Sequence, residues 1–460
     1  MRLIINLFLI ILIVFSLAII PVNYQLLDLD IPYFQNNQDT IDDSEEGSND
    51  YFDMSANAEE FLTENSFELI LSTTNEQEVE TLINSFKATM TTNTGKTNTI
   101  DLKDIQNSSK LSKNQLSDFI DDEITEENNK DVYTVEYTFY LKYLDLNSNT
   151  YSTKIESSDE RINNAIEFTF RYLNDNKYVG SSNVPPNNSL FAKVYYPDEA
   201  LLRLVPVNEV LADGTNFIRR SIDALLTPAD EKYGLASTVA APKVDNIYIS
   251  NGTARMDLLS SDLEGFNEGS TASQFALNAI INTISEFEIV NNVKFFVNNS
   301  DQGDYFHGTD LTEAFEVNQL PKAYIGLETS KKTMFLYPID IPVEGLNDTV
   351  LNIISTLKTG TYNQVADNNL IPTLPDDIEV TNYRFDQTNI ELYLSSEFLT
   401  VYEGNEDYQK IMYESLLYSL TSIDGINTVS ILVNDEPVED FLGINISERQ
   451  RPNKFINTLN

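Results

Sequence analysis

The order of apolar and polar positions divides the chain into stretches of distinct kinds. Leu3 to Val22 is one unbroken apolar run, LIINLFLIILIVFSLAIIPV, with Arg2 just before it. About 20 apolar residues span a bilayer core as a helix, so residues 1–22 read as a transmembrane anchor or signal. The basic residue precedes the run and an acidic stretch follows, which keeps the N-terminus cytoplasmic and exports the rest. Ser16-Leu17-Ala18 has the small-x-small form of a cleavage site, the competing reading. The apolar Ile19-Ile20 beyond it favours an uncleaved anchor. Residues 23–62 have no apolar period and carry Asp39, Asp42, Asp43, Glu45, Glu46, Asp50 and Asp53. Like charges and low hydrophobicity make this an extended acidic linker.

Two later stretches show the same series of elements. In the first, residues 189–310, Phe191–Tyr196 and Leu201–Pro206 alternate as strands around a Pro197-Asp198 turn. Helical spacing of Phe217, Ile218, Ile222, Leu225 and Leu226 predicts a helix over 216–226, with Thr215 as its N-cap. A hairpin follows, Val244–Ile249 and Ala254–Leu259 around Asn251-Gly252. Thr271-Ala272-Ser273-Gln274 then fits a capping box for a second helix, and Val293–Val297 closes the unit. The second stretch, residues 321–447, repeats the order: strands Ala323–Leu327 and Thr333–Tyr337, helix 347–357, hairpin Val380–Leu394, helix 408–420 and strand Val429–Val433. Each unit is expected to be one mostly antiparallel sheet covered on one face by two helices, an α+β module. A short tail, 448–460, ends the chain.

Residues 63–188 show half of this pattern. Phe67–Leu71 reads as a strand and Glu76–Met90 as a helix. Tyr133–Tyr143 and Thr150–Ile155 read as a hairpin, and Ser157 to Glu160 as a capping box for a helix with Ile162, Ile166, Phe170 and Leu173 on its apolar face. The expectation is an α/β domain, open to reading as a diverged third copy. The fold class is thus α+β: an N-terminal transmembrane helix, an acidic linker, then small sheet-plus-two-helix modules in tandem.

Composition narrows the chemistry. The formal net charge of −43 repels nucleic acid phosphates and anionic headgroups, which excludes nucleic acid as a partner of the exported part. The acidity fits either a salty medium or a functional surface. No Cys is present, so disulfides, thiolate nucleophiles and lipid attachment through Cys are excluded. The single His, His307, leaves one base for any triad and rules out a multi-His metal site.

The ordered series VYYPD, LVPV, helix, LASTVAAP, NGTARMDLLSSDL and a helix running through NTISEFEIV into VKFFVNN resembles the GerM domain of sporulation and spore-germination proteins. Pro197, Leu204-Val205-Pro206, Met256-Asp257-Leu258, Asn282 to Phe287 and Val293 to Asn298 carry the likeness. The second copy matches at Leu374-Pro375, Leu392 to Ser396, Ser419-Leu420-Thr421 and Val433-Asn434, and the tail from Arg449 to Asn460 is similar to that of two-domain members. The lipoprotein Cys common in the family is missing, and the Gly-Pro step after the first helix reads Thr227-Pro228 and Thr359-Gly360. The resemblance implies a non-enzymatic role at the cell envelope, near a trans-envelope channel assembly, with domains similar in element order to ring-building modules.

Motifs that could carry chemistry have plainer readings beside them. Asp145, Asn147, Asn149 and Glu156 approximate a calcium loop, but Thr150 stands where the loop needs Gly, and strands flank it. A polar hairpin turn is the favoured reading, so no metal and no cofactor is expected. His307 reads as an exposed loop residue. Asp121-Asp122 and Asp376-Asp377 are pairs among 72 acids and carry no acid/base signal. Ser260-Ser261 and Ser395-Ser396 recur in both copies without a nucleophile elbow, and read as turn caps. The expected function is therefore not catalytic. It is envelope assembly by association of the modules with envelope proteins or with themselves, at the cell membrane, with the C-terminal part extracytoplasmic. The alternative is a ligand-binding or sensory ectodomain for a cell-wall component, which calls for a concave pocket between the modules lined by Tyr and Phe. A carboxylate-only enzyme is the third reading, and needs two carboxylates facing across a cleft.

Overall fold

A computed structural model describes residues 52–58, 66–115 and 131–459, apart from 93–94, 145, 147, 163–164, 185–189, 212–215, 264, 267–268, 302, 304, 308, 344 and 363–368. The expected anchor over 1–22 and most of the linker lie outside the described residues. Among the described residues no helix is long and apolar enough to cross a membrane.

Eight strands build the N-terminal unit: β1 (Phe52–Ala58), β2 (Ser66–Thr73), β3 (Phe86–Thr92), β4 (Thr97–Asp101), β5 (Asn107–Gln115), β6 (Asp131–Tyr140), β7 (Asn149–Ser157) and β8 (Ile166–Tyr172). They form two antiparallel sheets, ordered β1-β2-β6-β5 and β4-β3-β7-β8. Alternation drives both inner faces: Phe67, Leu69 and Leu71 from one sheet and Phe86, Ala88 and Met90 from the other are buried in one core. This unit corrects four expectations. Residues 52–58, expected within the extended acidic linker, form β1, paired antiparallel with β2. The helix expected over 76–90 is a 3-10 turn, Leu82–Ser85, followed by β3. The helix expected after Ser157 is β8. A spacing of four fits a strand as well as a helix, because four is a multiple of two; the β-branched and aromatic run IEFTFRY decides for the strand. The expected hairpin of β6 and β7 does not form either: β6 pairs with β2 and β5, and β7 with β3 and β8. Among the described residues the unit is a β-sandwich without α-helix, not an α/β copy of the modules.

After a two-residue strand, β9 (Lys177–Tyr178), the first module comprises β10 (Phe191–Pro197), β11 (Leu204–Val210), α1 (Phe217–Ala224), β12 (Val244–Ser250), β13 (Thr253–Leu258), α2 (Ser270–Ser285), β14 (Asn292–Val297) and β15 (Phe315–Glu316). The second comprises β16 (Lys322–Glu328), β17 (Thr333–Asp340), α3 (Leu346–Thr359), β18 (Leu370–Ile371), β19 (Val380–Asp386), β20 (Asn389–Leu394), α4 (Glu406–Thr421), β21 (Thr428–Val433) and β22 (Glu436–Pro437). The repeat holds in detail. Val244, Leu258 and Val297 recur as Val380, Leu394 and Val433, each 136 residues later (244 to 380, 258 to 394, 297 to 433). A register shift in the first hairpin strand falls at the same place in both, between Val244 and Asn246 and between Val380 and Asn382.

Each module holds two sheets rather than the one expected. The opening hairpin stands apart from a mixed sheet, β12-β13-β14-β15 in the first module and β19-β20-β21-β22 in the second. Within each mixed sheet the pair joined through a helix, β13–β14 or β20–β21, is parallel. A strand-helix-strand crossover returns the chain in the same direction. The second strand of the first module begins at Leu204, three residues later than expected. The Asp198 carboxylate accepts from the N–H groups of Leu202 and Arg203 at 2.7 and 3.1 Å and holds the intervening loop. Asn216, not Thr215, accepts from the Arg219 N–H to cap α1. The second helix starts two residues earlier than the Thr271 box implied, with Gly269 at the N-cap and no side-chain cap.

Candidate functional site: the seams between units

The residues that chemistry would recruit are dispersed. Asp145 and Asn147 lie outside the described residues. Asn149 opens β7 and Glu156 stands near its far end, paired with Lys154 at 2.5 Å. Seven residues of extended strand separate the two by roughly 23 Å, which no single ion bridges. His307 is exposed, with φ of 50°, next to the fully buried Phe306. Ser260 is part of a turn, its hydroxyl 2.8 Å from the Asn298 amide nitrogen, and the Ser395 hydroxyl accepts from the Glu379 N–H at 3.0 Å. Neither serine pair supplies a side-chain cap to the short helical turn beside it; Ser260 and Ser395 instead join neighbouring strand ends. Asp121-Asp122 lie outside the described residues, and Asp377 is committed to an ion pair with Arg171.

What the fold does bring together lies at two seams. The first joins the modules. Their apolar side chains form one continuous core, from Ala192 and Val194 on β10 to Ala323 and Ile325 on β16 and on through α4. The C-terminal tail is threaded between the two opening hairpins. Its Thr458 forms a parallel bridge with Asn208 of β11. The Asn208 N–H donates to the Asn457 carbonyl at 3.1 Å, and the Leu459 N–H to the Asn208 carbonyl at 2.9 Å. On the other side the Asn457 side chain pairs with Leu336 of β17. Sequence reasoning assigned the tail no contacts, because its partners in the two hairpins, Asn208 and Leu336, are more than a hundred residues away.

The second seam joins the N-terminal unit to the second module, and it is polar. The Tyr408 hydroxyl lies 2.6 Å from the Ser148 hydroxyl, accepts from the Asn176 amide at 3.0 Å and donates to the Asn174 carbonyl at 3.2 Å. The buried Glu328 carboxylate accepts from the Asn174 amide at 2.6 Å and pairs with Lys332 at 3.2 Å. Arg171, 5% exposed, pairs with Asp377. β9 adds in parallel to the edge of β17, and its Lys177 pairs with Asp407 at 3.2 Å. The Tyr178 hydroxyl donates to Glu414 at 2.5 Å. Burial pushes the Glu414 carboxyl above the usual carboxylate range and the Tyr178 phenol well above its ordinary value. Burial also raises the Tyr402 phenol to about 12, against a lowering by Arg171. A cleft of about 20 Å³, room for about one water, lies among Ser148, Arg171, Leu173, Ile371, Tyr402 and Tyr408.

The broader cleft between the hairpin tips of the two modules is lined by Asp198, Glu199, Glu328, Thr329, Lys332 and Asn369 among others. It is polar and charged, with no aromatic side chain in its lining. This is not the Tyr- and Phe-lined pocket that the ligand-binding alternative called for.

Exposed apolar side chains gather at the same end of each module. In the first module these are Leu190 and Val210 at the open end of the hairpin and Phe217 at the start of α1, at 51%, 45% and 37% exposure. In the second, Leu320 and Val343 flank the open end of the hairpin from the adjoining loops and Leu346 starts α3, at 40%, 64% and 44% exposure, while the strand-end counterparts of Leu190 and Val210 are Pro321 and Asp340.

A sheet-dominated α+β pair with a shared core and no gathered catalytic group among the described residues defines a tandem-module protein. Residues 193–303 and 329–439 each match the family described as Germane, sporulation and spore germination, so the two modules are GerM-type domains in tandem. It is similar to the tandem GerMN domains of the sporulation protein GerM from Bacillus subtilis, with 16% identity and a TM-score of 0.45 over 59% of this chain and 99% of that one. It is also similar to the first GerMN domain of the same protein, with 18% identity and a TM-score of 0.24 over 29% of this chain and 97% of that one. No curated protein matches the chain.

Proposed function

We propose that this is a non-enzymatic, membrane-anchored protein whose extracytoplasmic modules act in envelope assembly during sporulation or spore germination, by contact with other envelope proteins or with themselves. The recurring apolar trio carries this reading. Single exposed apolar residues are ordinary on any surface, but three of them gather at the same end of each module, on a chain of net charge −43. A surface under strong pressure toward acids retains such positions where a partner covers them. The shared core and the threaded tail support the reading further, because they hold the two patches on one body. The apolar run at residues 1–22 supports the anchor, and the family match supports the process.

Complementation tests it. Cells lacking the protein are expected to form spores poorly or to germinate poorly, and the wild-type chain to restore them. A Phe217→Asp, Leu346→Asp chain made at the same level is expected to fail. Full rescue by that chain would remove the patches from the function; absence of any defect would remove the process.

A further inference from the structure

The N-terminal sandwich and the modules have separate apolar cores. One runs from Phe67 to Tyr172; the other begins at Tyr178 and runs to Leu459. Leu173, partly buried, is the residue before the seam that packs against the modules' core. The rest of the junction described above is hydrogen bonds and an ion pair: Ser148, Asn174 and Asn176 on Tyr408, Asn174 on Glu328 and Arg171 on Asp377. A domain junction of this polar kind resembles a transient interface, and relative motion is the default for it. The modules, by contrast, share a core and cannot part without opening it.

The repeat shows what the sandwich covers. At the same 136-residue offset, Tyr402, Asp407, Tyr408 and Glu414 of the second module correspond to Phe266, Thr271, Ala272 and Asn278 of the first (266 to 402, 271 to 407, 272 to 408, 278 to 414). In the first module Thr271, Ala272 and Asn278 are exposed and Phe266 is half-buried. In the second, Tyr402 and Tyr408 are 5% and 2% exposed. The start of the long helix is thus open to solvent in one copy and covered in the other.

We propose that the β-sandwich is a self-contained cover, latched onto the second module by Tyr408 at the start of α4 and by Glu328 and hinged at β9, which stays on β17, and that its undocking exposes on the second module the face that the first module leaves open. The cover opens as a folded unit because each side keeps its own core. Tyr408 is the latch: three groups of the sandwich side converge on one hydroxyl. That the exposed face then meets a partner rests on the function proposed above. The docking equilibrium does not, and the experiment reads docking alone.

The chain has no Cys, so a Leu111→Cys, Leu351→Cys pair on exposed positions of the sandwich and of α3 takes two dyes and nothing else does. Single-molecule energy transfer in full-length protein is followed through a urea series, with hydrogen exchange of both cores in parallel. A low-transfer population is expected before either core loses protection. Tyr408→Phe strands buried polar groups and is expected to raise that population about tenfold, with both cores still protected. Asp377→Asn, whose carboxylate is half-exposed and faces Arg171 across the seam, is the milder variant and is expected to give a smaller rise should Tyr408→Phe fail to fold. Loss of transfer only together with loss of both cores, in wild type and variants alike, would overturn the proposal.

Discussion

The side-chain amide of Asn457 pairs with both main-chain groups of Leu336: its Oδ1 accepts from the Leu336 N–H at 2.9 Å and its Nδ2 donates to the Leu336 carbonyl at 2.8 Å. It thus takes the place of a peptide unit along the edge of β17. The same Nδ2 reaches the Pro206 carbonyl of the first module at 2.7 Å. One fully buried amide therefore ties three segments, and its own φ of 47° is a left-handed value that Asn tolerates better than most residues. Replacing it strands buried backbone groups, each costing about 1–3 kcal/mol. Asn457→Gly keeps the backbone geometry and is expected to lose about 3 kcal/mol of unfolding free energy. Urea denaturation followed by far-ultraviolet circular dichroism measures it. A loss below about 0.5 kcal/mol, the scale of an ordinary surface change, would show that the tail is not a structural tie.

Gly326 lies on β16 directly against Ile371 of β18. A Cβ there would run into the Ile371 side chain and approach its carbonyl oxygen at 3.3 Å. Both neighbours are buried in the core, so little room exists to give. Gly326→Ala is expected to destabilise by about 1–3 kcal/mol, as overpacking does. Gly326→Ala combined with Ile371→Val should recover part of that loss. Thermal unfolding of the single and double variants decides it, with no recovery as the adverse outcome.

Glu414 gives a pH dependence with a definite sign. Burial raises its folded pKa, so the folded protein holds a proton on it at pH values where the unfolded chain has released one. Its favourable share of stability is present at low pH and lost as pH rises from the ordinary carboxylate range through the raised folded value. Glu414→Gln removes that loss while its amide oxygen still accepts from Tyr178. The stability of Glu414→Gln minus that of wild type is therefore expected to grow with pH across this window. Taking the difference cancels the titration of the chain's many other acids. Urea midpoints at a series of pH values provide it, and a difference that shrinks with rising pH would contradict the assignment.

Much of the module fold was legible because its signals are local. Asn251-Gly252 marks its hairpin turn with φ of 51° and 79°, and the apolar faces of α2 and α4 follow helical spacing. The sandwich was misread where a spacing of four, as in Ile162, Ile166 and Phe170, serves strand and helix equally. The separation of each opening hairpin into its own sheet was not legible, since pairing depends on neighbours distant in sequence. The seams were invisible for the same reason: Ser148 and Tyr408 are 260 residues apart, and neither has a local signal. Asp377 read as one of many surface acids, and only the fold places it against the buried Arg171.

The most direct test of the central claim is a photo-cross-linking residue placed at Leu346, and separately at Phe217, in the full chain within the cells that make it. The account predicts cross-links from both positions, to an envelope protein or to a second copy of the chain, and none from the more exposed Leu111 on the sandwich. Cross-links from Leu111 alone, or from none of the three in cells that form and germinate spores normally, would contradict it.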